Sequence, residues 1–162
     1  MAEFDPTPYK IGANKTLQVS EARVDLIHDL IAEGANIRCA ALVKEGTDPI
    51  NQIIEAGAAD PIVGQVIGFW YPQDHAKAGV YENNPGTAIP AGAHCRVAAP
   101  QAGITSLFLL PDAEAVGVND NLIPDAAGRV AGGAAVAGVR NIRALVAVTA
   151  TDDDAVIMGV WE

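Results

Sequence analysis

From residue 36 onward the apolar residues of this chain fall in short bursts, separated by Gly, Pro, Asn and Asp. The first burst, 37–43, is closed by Lys44-Glu45-Gly46-Thr47. Asp48-Pro49 then starts either a short helix through Ile54 or another strand, and the pattern alone does not choose. Residues 62–71 read as a strong strand that is apolar on both faces, with Gly64 and Gly68 marking a bulge or a close approach and Pro72 ending it. Residues 73–88 are the most polar stretch and read as a long exposed loop turning at Asn83-Asn84-Pro85-Gly86. Further strand signals follow at 95–98, 104–110, 142–150 and 155–161. Their recurrence about every 8 to 15 residues, without interleaved helical periodicity, predicts a mainly β fold, either a small barrel or a sandwich.

The start of the chain differs. Pro6 and Pro8 favour extended backbone, Gly12 and Asn14 break any period, and Thr16-Leu17-Gln18-Val19 alternates as an edge strand does. Residues 1–19 are therefore expected to form an extended arm. Residues 20–33 predict one short helix: Ser20 can cap it, Val24, Ile27, Leu30 and Ile31 recur at helical spacing, and Gly34 stops it. A strand through Ala22, Val24 and Leu26 is the rival, but His28-Asp29 followed by Leu30-Ile31 breaks alternation. The division expected is an arm over 1–19 and a single β-rich domain over 20–162.

Composition narrows what such a domain can do. At 162 residues there is room for one real core, and half the residues are apolar, although only 5% are aromatic. Twenty acids against ten bases give a net charge of −10, which repels nucleic-acid phosphate and anionic lipid. Neither nucleic acid nor membrane is expected as a partner. No apolar run approaches the roughly 20 residues needed to cross a bilayer. The N-terminus lacks the basic and apolar regions of a secretory signal, so synthesis in the cytoplasm is expected. Cys39 and Cys95 sit in apolar strand contexts and read as reduced, buried thiols.

Candidate chemistry is sparse. His28, His75 and His94 lack the short spacing of a zinc site, and His94 and Cys95 point to opposite faces of one strand. Asp152-Asp153-Asp154 lacks the spaced pattern of a calcium loop and reads as a solvated turn. Ser106 lies inside an apolar strand, Ser20 looks like a cap, and no nucleophile elbow or phosphate-binding glycine motif is present. No catalytic residue, metal or cofactor is therefore expected, and the chain reads as a non-enzyme. Trp70, Tyr71 and Tyr81 are the conspicuous aromatics, suited to core packing, to a protein interface or to stacking on a sugar. Trp161 implies that the chain end is pinned in the last strand.

Over residues 60–162 the texture resembles the capsid decoration, or cement, proteins of tailed bacteriophages, of the β-tulip and related barrel types. The features are the V-G-x-V-x-G core Val63-Gly64-Gln65-Val66-Ile67-Gly68, AGAHCRV at 91–97 and GITSLFLLP at 103–111. The phrases at 116–130 and 144–161 complete the match. The helix at 20–33 and the loop at 73–88 depart from the simplest members. The resemblance implies a virion protein on the capsid exterior that stabilises the shell, with the major capsid protein and itself, as a homotrimer, as partners. It also implies that the penultimate strand, the acidic turn and the last strand complete the barrel. On that reading Tyr9, Lys10, Ile11, Leu17 and Val19 belong to a capsid-binding arm, and Trp70, Tyr71 and Tyr81 to a contact or display loop. A carbohydrate- or receptor-binding β-module using Trp70, Tyr71 and Tyr81, and a small β-barrel enzyme, are the rivals.

Overall fold

A computed structural model describes residues 26–47, 51–58, 60–153 and 155–162. The capsid-arm residues Tyr9, Lys10, Ile11, Leu17 and Val19 lie outside the described residues.

The first six strands are β1 (Leu26–Ala32), β2 (Leu42–Glu45), β3 (Gln52–Glu55), β4 (Gly64–Trp70), β5 (Tyr81–Glu82) and β6 (His94–Ala98). They pair in the order β2-β3-β1-β6-β4, and β4 pairs back to β2, so five strands close into a barrel. Closure consumes the free backbone edges that an open sheet would expose. The N-terminal part of β4 meets β2 through Gly64 and Gln65, while its C-terminal part meets β5 through Phe69 and Trp70. β1 runs parallel to β3 and antiparallel to β6.

The barrel interior is filled. Ile37, Val43, Ile53, Val66, Phe69 and Val97 pack there with both cysteines. Val66 and Phe69 are three residues apart, which strict alternation would send to opposite faces. A shift in the β4–β6 register between Val66 and Gly68 resolves this, leaving Ile67 as the extra residue of a bulge. This is the irregularity that Gly64 and Gly68 foretold.

The second half contains β7 (Thr105–Leu109), β8 (Ala115–Val116), β9 (Asn121–Pro124), β10 (Val130–Gly132), β11 (Ile142–Ala144), β12 (Val148–Thr149) and β13 (Val156–Trp161). Five of these form an antiparallel sheet in the order β10-β9-β11-β13-β7, and β12 pairs with β8. Its core gathers Phe108, Leu110, Leu122, Val130, Ile142, Ile157 and Trp161. Along β13 burial alternates, with Ile157, Gly159 and Trp161 inward. Trp161 meets the Phe108 ring edge-on at 5.3 Å, and the Glu162 amide donates to Asn141 O, so the chain end is pinned as its sequence implied.

The two halves share a wall. On β7, Phe108 belongs to the second core while Leu109 belongs to the barrel core, and Leu107 also packs against the barrel. β2 does the reverse, placing Val43 in the barrel and Leu42 in the second core. Strands buried on both faces need near-continuous apolar sequence, which is what residues 104–110 supply. At this wall Gln65 is 1% exposed and Ser106 6%. The Gln65 side-chain amide donates to Ala40 O at 2.9 Å and Leu107 O at 2.6 Å, and Ser106 Oγ donates to Gln65 Oε1 at 2.5 Å. A buried amide must find such partners or forfeit its hydration without return.

Two expectations are corrected. Over its described part the helix expected at 20–33 is strand β1, and residues 20–25 lie outside the described residues. The β1–β6 register shifts between Ile27 and Leu30, where three steps on β1 match two on β6. That bulge changes the phase of the apolar positions, so a strand carries a pattern that reads as helical. The gap between β3 and β6 then decides the outcome, because the barrel closes only when a strand fills it. The second correction concerns the ring itself. It is built from residues 26–98, whereas β12 and β13 lie outside it, one on β8 and the other in the open sheet. The undecided stretch after Asp48-Pro49 yields a strand, β3, and the polar loop at 73–88 is interrupted by the two residues of β5 and by a single bridge from Ala88 to Arg38.

Candidate functional site

A concavity lies where β4 leaves the barrel. Pro72 stops the strand, and the chain turns back through His75 N to Pro72 O, Ala78 N to His75 O and Gly79 N to Tyr71 O before entering β5. Gly79 sits at φ +74, a left-handed conformation in which a side chain would be strained. The loop is thus compact, held by its own backbone and by one ring beneath it.

That ring is Tyr71. It is 8% exposed, meets Phe69 at 5.0 Å in an edge arrangement, stacks on His75 at 4.5 Å, and carries Lys77 Nζ 5.3 Å above its face. Tyr71 therefore anchors the loop from beneath. Trp70 and Tyr81 do reach solvent, at 38% and 37% exposure. They stand opposite each other on β4 and β5, with ring centroids 4.8 Å apart and planes tilted by 49°. Gly68 makes this possible: a methyl group there would overlap the Tyr81 phenol, so the ring lies directly on bare backbone.

On the other side of β4, His94 is in register with Trp70 and is exposed. Trp70, Tyr71, Pro72 and Gln73 enclose, with His94 and the glycines Gly79 and Gly92, a cleft of about 480 Å³. This falls in the size range of small-ligand sites, which join apolar walls to a few polar groups. Trp70 and Tyr71 could be picked from sequence because aromatics are scarce. His94, Gln73 and Gly92 could not, because they join the site through a β4–β6 register that leaves no local signal.

Other candidate chemistry is committed to structure. Ser106 Oγ is held by Gln65. Burial pushes the thiols of Cys39 and Cys95 up to about 12, keeping both protonated and unreactive. In the acidic turn, Asp153 accepts from the Asp112 amide and its carbonyl accepts from Arg129 Nε. A second, open hollow of about 520 Å³ holds Glu114 and Asp120, whose carboxylates accept from the amides of Gly132 and Gly117. Among the described residues no three His, Cys, Asp or Glu side chains converge as a metal site. Compared with family models, curated proteins and solved structures, the chain matches none.

Proposed function

We propose that this protein is a structural virion component that adds to the outside of an assembled viral capsid and stabilises it, as homotrimers bridging major capsid protein subunits. The observation that carries this reading is the polarity of the barrel. Leu26 and Gln65 lie opposite Ala98 at one end, while Ile31 and Trp70 lie opposite His94 at the other, roughly 13 Å away along β6. The described chain begins at the Leu26 end. The exposed Trp70, Val80 and Tyr81 belong to the opposite end. A decorating subunit needs one attachment to the shell and a separate face turned away from it, and a barrel with two distinct ends is compatible with that need. In this reading the segment carrying Tyr9, Lys10, Ile11, Leu17 and Val19 engages the shell, adding backbone and apolar contacts as an extended peptide does on a sheet edge. Symmetry then multiplies modest contacts around the capsid. The net charge of −10 suits the outer surface better than contact with packaged nucleic acid.

The test compares the full chain with one lacking residues 1–19 for co-sedimentation with purified, expanded shells of the virus that encodes it. The truncated chain should keep its β circular-dichroism spectrum and bind at least about tenfold more weakly. Equal binding by the two would overturn the arm's role.

A further inference from the structure

The geometry points to a second property, independent of shell attachment: the cleft at the Trp70 end of the barrel binds a neutral pyranose, as the free sugar or as a residue of a glycan chain. Three features of the cleft select this chemistry.

The first is shape. A pyranose has an apolar C–H face and a hydroxyl-bearing rim, and it is recognised by a flat aromatic ring with hydrogen-bonding groups around it. Trp70 presents such a ring, 38% exposed at the end of a strand. Its tilt is fixed by Tyr81, which rests in turn on Gly68. A surface indole braced in this way is preorganised, so little rotamer freedom is lost on binding.

The second is the polar complement. Gln73 brings an amide with two donors and a carbonyl acceptor, and His94 an imidazole, to the same cleft. Gly79 and Gly92 face open space where a side chain would begin, leaving room for a ring to approach the backbone.

The third is charge. No carboxylate, ammonium or guanidinium belongs to the lining. An anionic ligand would meet a protein of net charge −10, and a quaternary ammonium would meet Lys77, whose Nζ sits over Tyr71 beside the cleft. A neutral polyhydroxyl ligand avoids both penalties.

The two tryptophans make the test direct, because Trp161 is 3% exposed in the distant core while Trp70 borders the cleft. The full chain, labelled with nitrogen-15, is titrated with glucose, galactose, mannose and N-acetylglucosamine, and with oligomers of each, while both indole N–H signals are followed. One of these sugars should move the Trp70 signal with a Kd of about 1 mM, leaving the Trp161 signal in place. Tighter binding of oligomers than of the matching monomer would identify a glycan chain as the source, and equal binding the free sugar. Trp70→Ala should weaken binding at least about tenfold, and Trp70→Phe should retain part of it, because a smaller ring still stacks. Gln73→Ala, at an exposed loop position, should weaken binding with the thermal midpoint unchanged. Absence of a Trp70 shift with every sugar at about 50 mM would overturn the proposal. So would shifts produced by choline or inorganic phosphate but by none of the sugars.

Discussion

Gln65 offers the sharpest test of how the two halves are joined. Replacing it with Met keeps the length and bulk of the side chain but removes the amide. Three hydrogen bonds disappear, those to Ala40 O and Leu107 O and the one from Ser106 Oγ. At about 1 kcal/mol net for each neutral bond, their loss alone costs about 3 kcal/mol. Two carbonyls and a hydroxyl also remain in a region with almost no solvent access, which raises the cost toward about 4 kcal/mol where water cannot enter. Ser106→Ala removes one bond and leaves only the amide oxygen unpartnered, so it should cost about 1 to 2 kcal/mol. The double variant should cost less than the sum of the two, because the alanine also removes the hydroxyl that Gln65→Met leaves without an acceptor. Urea unfolding followed in parallel by far-ultraviolet circular dichroism and tryptophan fluorescence measures all three variants. Both probes should move together, since Gln65 belongs to the barrel and Ser106 to the second sheet. A Gln65→Met variant within about 0.5 kcal/mol of the parent would refute the reasoning, as would strictly additive effects.

Other consequences of the structure can be measured separately. Cys39 and Cys95, with thiols pushed up to about 12 by burial, should resist a thiol reagent at neutral pH and react only when the barrel opens, so labelling should track global unfolding. Gly159→Ala places a methyl group 2.7 Å from Ile142 Cγ2 and 3.2 Å from the Phe108 ring, and should cost about 2 kcal/mol in chemical denaturation. Asp60 is held below the ordinary carboxylate range by its hydrogen bonds from Lys44 and the Gly57 amide, and Glu33 by both donors of Thr47. Such lowered groups add stability above their unfolded values of 3.8 and 4.5, and that stability is lost as the pH falls through the folded values. Burial holds Glu55 above its ordinary range, so its contribution has the opposite sign and weakens the fold as the pH rises past 4.5. Asp60→Asn should therefore flatten the acid side of the thermal-midpoint profile, and Glu55→Gln the side just above it.

Much of the β character was legible because turns and short apolar bursts are local signals. The strand at 62–71, its bulge, the buried cysteines and the pinned Trp161 all follow from spacing and residue type. β1 was not legible, because its bulge between Ile27 and Leu30 gives a strand the period of a helix, and only the gap between β3 and β6 resolves the choice. Nor could spacing say which strands would close the ring, since β4 reaches β2, β5 and β6 through contacts far apart in sequence. The site divides in the same way. Trp70 and Tyr81 stood out by scarcity, but the burial of Tyr71 depends on His75 folding back over it, and His94 enters through strand register.

The proposed attachment to a capsid is tested most directly by mixing the purified full chain with expanded shells of candidate tailed viruses and counting the copies bound per shell. Binding should saturate at a fixed number, in multiples of three at symmetry-related positions, and the decorated shell should melt at a higher temperature. Shells that sediment without the protein at saturating concentration, and melt where they did before, would contradict it.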